Sequence, residues 1–252
     1  MSRWRVRARS VPKRGEAPSH NKDRVAIALP RRGRLLLAVA DGATQAYRAD
    51  AWAQLLVDAW TEQRLAVGRS NATLVAAIGN LSVAWHASAV PPGDAPWYVA
   101  AKASRGSFST LLGVDVRLEG RVWRWTILAV GDTEFFVVGD GDVLIAAHPL
   151  ARSSEFNNTP PLLATGLRNP DLARRRRIRR MGLLPAGGRL IAATDALAKC
   201  LLAAQEARAP IWAEAVGAAR SDRSFARWIG QLREHGRLDD DDTTLLVAER
   251  VR

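Results

Sequence analysis

The sequence predicts an α+β fold in which antiparallel sheets carry helices on their outer faces. Three observations lead there. Short apolar segments rich in branched residues come in blocks, around 24–40, 108–147 and 243–251, rather than in strict alternation with helices. Stretches with apolar residues three and four apart stand between the blocks, around 52–85 and 196–234. Gly, Pro or Asp bounds most of the segments.

Element by element, Arg3-Trp4-Arg5-Val6-Arg7-Ala8-Arg9 alternates strictly and reads as a strand with Trp4, Val6 and Ala8 inward. It is basic, but no apolar run follows, so it is not read as a signal peptide. Arg24–Leu29 and Arg34–Ala40, joined by Pro30-Arg31-Arg32-Gly33, predict a hairpin that ends at Asp41-Gly42. Trp52, Leu55, Leu56, Ala59 and Trp60 mark one helix. Leu74, Ala77, Ile78, Leu81 and Trp85 mark a second, capped by Ser70 or Asn71 and stopped by Pro91-Pro92-Gly93. Strands are expected at Phe108–Leu118, Val122–Val130, Glu134–Val138 and Asp142–Ala147, the last two joined tightly by Gly139-Asp140-Gly141. Arg152–Pro185 reads as irregular and polar. A strand at Leu190–Thr194, helices at Ala196–Ala207, Ile211–Ala219 and Ser224–Glu234, and a strand at Thr243–Val251 complete the chain.

The 252 residues are 48% hydrophobic, enough to bury a sizeable core, and no Pro-, Gly- or Ser-rich linker divides them. One domain over 1–252 is expected. With 37 Lys and Arg against 25 Asp and Glu, the net charge of +12 favours acidic partners: phosphorylated peptides, nucleic acid or anionic membrane. Cys200 is the single cysteine and lies in an apolar stretch. That excludes an internal disulfide framework and a thiolate zinc cluster, and it fits a reducing cytoplasm. No apolar run is long enough to cross a bilayer. The nine Trp mostly fall at core spacing.

Four aspartates stand where strands begin or end. Asp41 follows RLLLAVA, Asp132 follows TILAVG, Asp195 follows LIAAT, and Asp241 lies in a run of four just before the last strand. Taken singly, each reads as a turn former or a helix cap rather than as a metal ligand. Taken together, carboxylates at the mouths of apolar strands need compensating positive charge, and a hard divalent cation with oxygen ligands supplies it.

Order and context add more. Asn21-Lys22-Asp23, AVADGA (38–43), GSFSTLL (106–112), AVGDTEFFVV (129–138), IAATDALA (191–198) and DDTTLLVA (241–248) occur in this sequence. In that order they resemble the motifs of the type 2C, metal-dependent serine/threonine protein phosphatases in their bacterial form, over about Ser10 to Val251. DGAT before a Trp-bearing helix, Pro96-Trp97-Tyr98 followed by Lys102, and TDALA resemble a narrower bacterial subgroup. The resemblance implies a four-layer α-β-β-α sandwich with two Mn²⁺ or Mg²⁺ ions at one end. By residue-wise carry-over, Asp41 bridges both ions and the Gly42 carbonyl ligates one. Asp195 and Asp241 hold the other ion, Asp132 serves a further weaker site, and Asp23 supports the cluster. The implied reaction is hydrolysis of phosphoserine or phosphothreonine by a water bridging the cations, with His20, or else His148, as proton donor. A phosphorylated protein is then the substrate and a Ser/Thr kinase the opposing enzyme. Membrane is not expected as a partner, nucleic acid is not favoured, and oligomeric state stays open.

The chain departs from the family pattern in places. Lys22 stands where Glu or Gln is usual, the eukaryotic phosphate-binding Arg falls near Pro18, and Lys199 replaces a further acidic residue. These motivate a second reading, a catalytically weak module that binds phosphorylated partners. The arginine run Arg174–Arg180 reads either as a docking surface or as a solvated loop. A third reading, nucleic-acid binding driven by charge, has no aromatic residues interleaved with the run to support it.

Overall fold

The computed structural model describes residues 3–66, 70–166 and 177–251. In chain order the first half runs β1 (Arg3–Val11), β2 (Arg24–Ala28), β3 (Arg34–Ala40), α1 (Ala49–Thr61), α2 (Asn71–Ser88), α3 (Trp97–Ser104), β4 (Phe108–Ser109), β5 (Leu111–Glu119) and β6 (Val122–Val130). The second half runs β7 (Glu134–Val138), β8 (Leu144–His148), β9 (Leu163–Ala164), β10 (Arg177–Leu184), β11 (Arg189–Ala193), α4 (Asp195–Glu206), α5 (Ile211–Ala218), α6 (Asp222–Glu234) and β12 (Thr243–Val251). One five-stranded sheet has the order β1-β12-β11-β7-β8, the other β10-β6-β5-β3-β2, and β4 and β9 form a two-stranded pair. All the pairings are antiparallel.

Alternation along the strands builds the layers. Leu35, Leu37 and Val39 of β3 join Phe135 and Val137 of β7, and Leu246 and Ala248 of β12, in an apolar layer between the two sheets. The intervening Leu36, Ala38 and Ala40 pack instead on Trp52, Leu56, Trp60 and Ile78 of α1 and α2. On the other sheet Phe136, Ile191, Leu245 and Val247 pack on Leu197, Leu201, Trp212 and Phe225 of α4, α5 and α6. The central strands are therefore buried on both faces, which is why their sequences are unbroken apolar runs. Each fully buried Leu or Phe contributes about 1.5–3 kcal/mol. A local fit fixes helix against sheet: Trp60 lies over Gly113, where a Cβ would come within 2.3 Å of the indole, and its Nε1 donates to the Val114 carbonyl at 3.2 Å.

The expected α+β class and most elements hold. Ser70 is the cap of α2, its side chain accepting from the Thr73 N–H at 3.2 Å. Cys200 is buried, as expected. Trp97 departs from the packing role, being 81% exposed. Four details of the sequence reading are corrected. The strand expected at Phe108–Leu118 breaks at Thr110, whose N–H is taken by the Asp41 carbonyl at 2.9 Å. The tight connection at Gly139–Gly141 is a longer turn closed by the Gly139 N–H on the Val143 carbonyl at 2.8 Å. The stretch Arg152–Pro185 is not wholly irregular: it contains β9 and the edge strand β10. Residues 97–104, given no element from sequence, form α3. Of the arginine run, 174–176 lie outside the described residues, while Arg177, Arg179 and Arg180 stand on β10.

Candidate metal centre

Register gathers the site. Ala193 pairs with Glu134 and Leu245, Val39 with Leu112, and Leu111 with Val130. The segments that follow β3, β6 and β11 and precede β12 thus meet at one end of both sheets, bringing Asp41, Asp132, Asp195 and Asp241 together. Asp41 is held through its backbone. Its N–H donates to Thr110 Oγ1 at 2.9 Å, and its carbonyl accepts from Ser109 Oγ at 2.8 Å as well as from Thr110. Gly42 bridges to Ser109, and a Cβ there would meet the Ala49 carbonyl at 2.9 Å and that of Lys22 at 3.0 Å, so no larger residue fits.

Asp195 opens α4, where the positive end of the helix favours an anion. Its Oδ1 accepts the Ala196 N–H at 2.6 Å. Asp241 is oriented by the following N–H, Asp242 to Oδ1 at 2.8 Å, and its carbonyl is gripped by Arg233 at 2.6 Å. Asp23 is buried, its Oδ2 accepting Thr194 Oγ1 at 3.0 Å. Thr194 Oγ1 accepts in turn from the Thr244 N–H at 2.9 Å, tying β11, β12 and Asp23 into one unit.

The electrostatics are strained in one direction. Burial, then the charges of Asp23, Asp195, Asp132 and Asp241, pushes Asp41 well above the usual carboxylate range. Burial raises Asp23 to about 8, Asp132 to about 7 and Asp195 to about 6, and it also raises Asp241. Asp23 Oδ1 and Asp132 Oδ1 are buried without a hydrogen-bond partner among the described residues. Orphaned carboxylate oxygens beside further carboxylates are what a hard cation satisfies, and the donors fit Mg²⁺ or Mn²⁺. Among the described residues, no three Asp, Glu, His or Cys side chains yet close on a single point.

Asp132, Asp195 and Asp241, with Lys199, Asp239 and Asn157, line a cavity of about 270 Å³. Lys199 binds Asp239 at 2.8 Å. Lys22 is half-buried, its Nζ donates to the Thr44 carbonyl at 2.7 Å, and its charge acts on Asp241. His20 is exposed on a short turn (Pro18–His20), and no described hydrogen bond holds its ring. His148 ends β8, packs on Trp125 with ring centres 5.9 Å apart, and is lowered in pKa by burial and then by Arg180. That is a packing role. Sequence reading missed Glu134. It is fully buried, takes the Leu150 N–H on Oε1 at 2.6 Å, leaves Oε2 orphaned, and is raised by burial to about 9. The only signal was an acid two residues after Asp132 at the head of the apolar strand EFFVV.

The model of the family described as protein phosphatase 2C matches residues 14–238. The chain belongs to that family. It is a metal-dependent protein phosphatase acting on phosphoserine and phosphothreonine. Solved structures agree in fold. The catalytic domain of the serine/threonine phosphatase PstP, in complex with two manganese ions, is 21% identical, covers 100% of both chains and gives a TM-score of 0.58. The serine/threonine phosphatase of S. agalactiae is 15% identical over 98% of this chain and 99% of its own, with a TM-score of 0.60. RsbX in complex with magnesium is 14% identical over 100% of both chains, with a TM-score of 0.51. No curated protein matches the sequence. Among the described residues of this phosphatase, no helix is long and apolar enough to cross a membrane.

Proposed function

We propose that Asp41, the Gly42 carbonyl, Asp195 and Asp241 hold two divalent cations, Mn²⁺ or Mg²⁺, and that Asp132 serves a further, weaker site. The observation that carries this is the set of buried carboxylates from separate chain segments, short of positive compensation, at one end of the sandwich. Asp41 would ligate both ions, and Asp23 supports the cluster through its hydrogen bond from Thr194. When bound, such ions offset charge on the phosphoryl oxygens and make water a stronger nucleophile.

The chain's own part is orientation. Ser109 and Thr110 fix the Asp41 backbone, the Ala196 N–H fixes the Asp195 carboxylate, and the Lys22 ammonium is tied to the Thr44 carbonyl. His20, exposed and unrestrained, is assigned as proton donor to the departing alkoxide. His20→Gln should therefore slow phosphothreonine peptide hydrolysis at least ~10-fold, within the usual range for a general acid, and slow an aryl phosphate far less. Equal slowing of both substrates would remove His20 from that role. A single domain over 1–252, a cytoplasmic setting suggested by the buried free Cys200, and an opposing Ser/Thr kinase complete the reading.

The test is hydrolysis of an aryl phosphate and a phosphothreonine peptide with Mn²⁺, Mg²⁺ or excess EDTA. Turnover with either cation and none with EDTA is expected. Turnover that survives EDTA would sink the assignment.

A further inference from the structure

Beside the metal centre lies a second pocket, of about 300 Å³, lined by Ala43, Gln45, Lys102, Arg105, Phe108 and Leu162, among others. The chain ties it to the centre: Ala43 is two residues from Asp41, a reach of at most about 7 Å. The Ala43 N–H also donates to the Phe108 carbonyl at 2.9 Å, fixing this wall of the pocket. Among the described residues, no acidic residue lines this pocket. Lys102 and Arg105 are exposed and have no described carboxylate partner, unlike Arg34 and Arg117 on Asp115 or Lys199 on Asp239. Tyr98, Lys102 and Arg105 follow at spacings of four and three and so share one face of α3 and its C-cap, with Tyr98 54% exposed. The helix buries no residue, so packing does not explain why it carries these groups.

We infer that Lys102 and Arg105 form a substrate-docking pocket for an anionic side chain, a carboxylate or a second phosphate, placed near the phosphoresidue being hydrolysed. The inference rests on the phosphatase reading and adds a substrate class to it. A lysine and an arginine over a partly apolar slot suit a charged head on a short stem, and Arg pairs carboxylate or phosphate in two-pronged fashion.

The experiment compares kcat/KM for three phosphothreonine peptides that differ only in one flanking residue: Ala, Asp or a second phosphothreonine. It uses the full chain with Mn²⁺ and includes an aryl phosphate as a separate substrate. The native chain should favour the anionic flanks by roughly tenfold, mainly through KM, the scale of a hydrogen-bonded charge contact. Gain with both flanks defines an acidic docking site, and gain with phosphothreonine alone defines a doubly phosphorylated substrate. Lys102→Ala with Arg105→Ala should bring the anionic-to-neutral ratio down to about one, and Lys102→Glu should invert it in favour of a lysine flank. Aryl phosphate turnover without flank preference, or a preference kept by these variants, overturns the docking pocket and leaves the phosphatase reading standing. Absence of aryl phosphate turnover with Mn²⁺ overturns both.

Discussion

Replacing Asp41 with asparagine is expected to lower kcat by about 10²–10³ or more, the scale seen when one preorganised electrostatic contact is removed from a transition state. The substitution keeps volume and shape. The Asp41 backbone is held by Thr110 and Ser109 whatever the side chain is, so the fold should survive. What is lost is a negative charge shared among Asp23, Asp195, Asp132 and Asp241. Circular dichroism unchanged from the native chain, with turnover gone at saturating Mn²⁺, is the expected pairing. Retention of more than a tenth of kcat would show that Asp41 does not stand between the ions. The same variant should be more stable than the native chain without metal, because it relieves repulsion among buried carboxylates.

The second large effect is on stability against pH. Asp23, Asp132 and Glu134 have ordinary pKa values near 4 when unfolded and about 8, 7 and 9 when folded. Between those limits the folded chain binds more protons than the unfolded chain, so stability falls as pH rises. The contribution is fully present below about pH 4 and is lost as each folded pKa is passed, at about 1.4 kcal/mol per pH unit for each group. Other titrating groups oppose it at the acid end, so the window to examine is pH 5 to 9. In EDTA, the thermal midpoint should drop across that window. Mn²⁺ should flatten the drop, since a bound cation favours the ionised carboxylates and stabilises the fold that binds it. A midpoint in EDTA that rises from pH 5 to 8 would mean that these acids are ionised and satisfied without metal.

Much of this fold was legible because its central strands are buried on both faces. RLLLAVA, TILAV and LIAAT show the burial directly, and the aspartates after them stand out because nothing apolar explains them. The elements missed are those whose burial is weak. The strand β10, RIRRMGLL, lies at a sheet edge, and its arginines and exposed Met181 hide the few residues that face inward. The helix α3 buries nothing, so it has no apolar period to read. Phe108–Leu118 looked continuous because the break at Thr110 is made by the Asp41 backbone, a partner far away in sequence. The clustering of Asp41 with Asp132, Asp195 and Asp241 was suggested by motif order, but the Asp23–Thr194–Thr244 connection and the buried Glu134 required the packed chain. Lys22 is the sharpest case. Sequence left open whether its ammonium weakens the cluster, holds phosphate or turns away, and only the packed chain shows it on the Thr44 carbonyl with its charge acting on Asp241.

The most direct test of the metal centre is calorimetric titration of the metal-stripped chain with Mn²⁺, repeated for Asp41→Asn and Asp195→Ala. Two ions per native chain, with binding weakened at both sites by Asp41→Asn and chiefly at one by Asp195→Ala, is the result predicted. Binding by the native chain that neither substitution alters, or no binding at millimolar Mn²⁺, would contradict it.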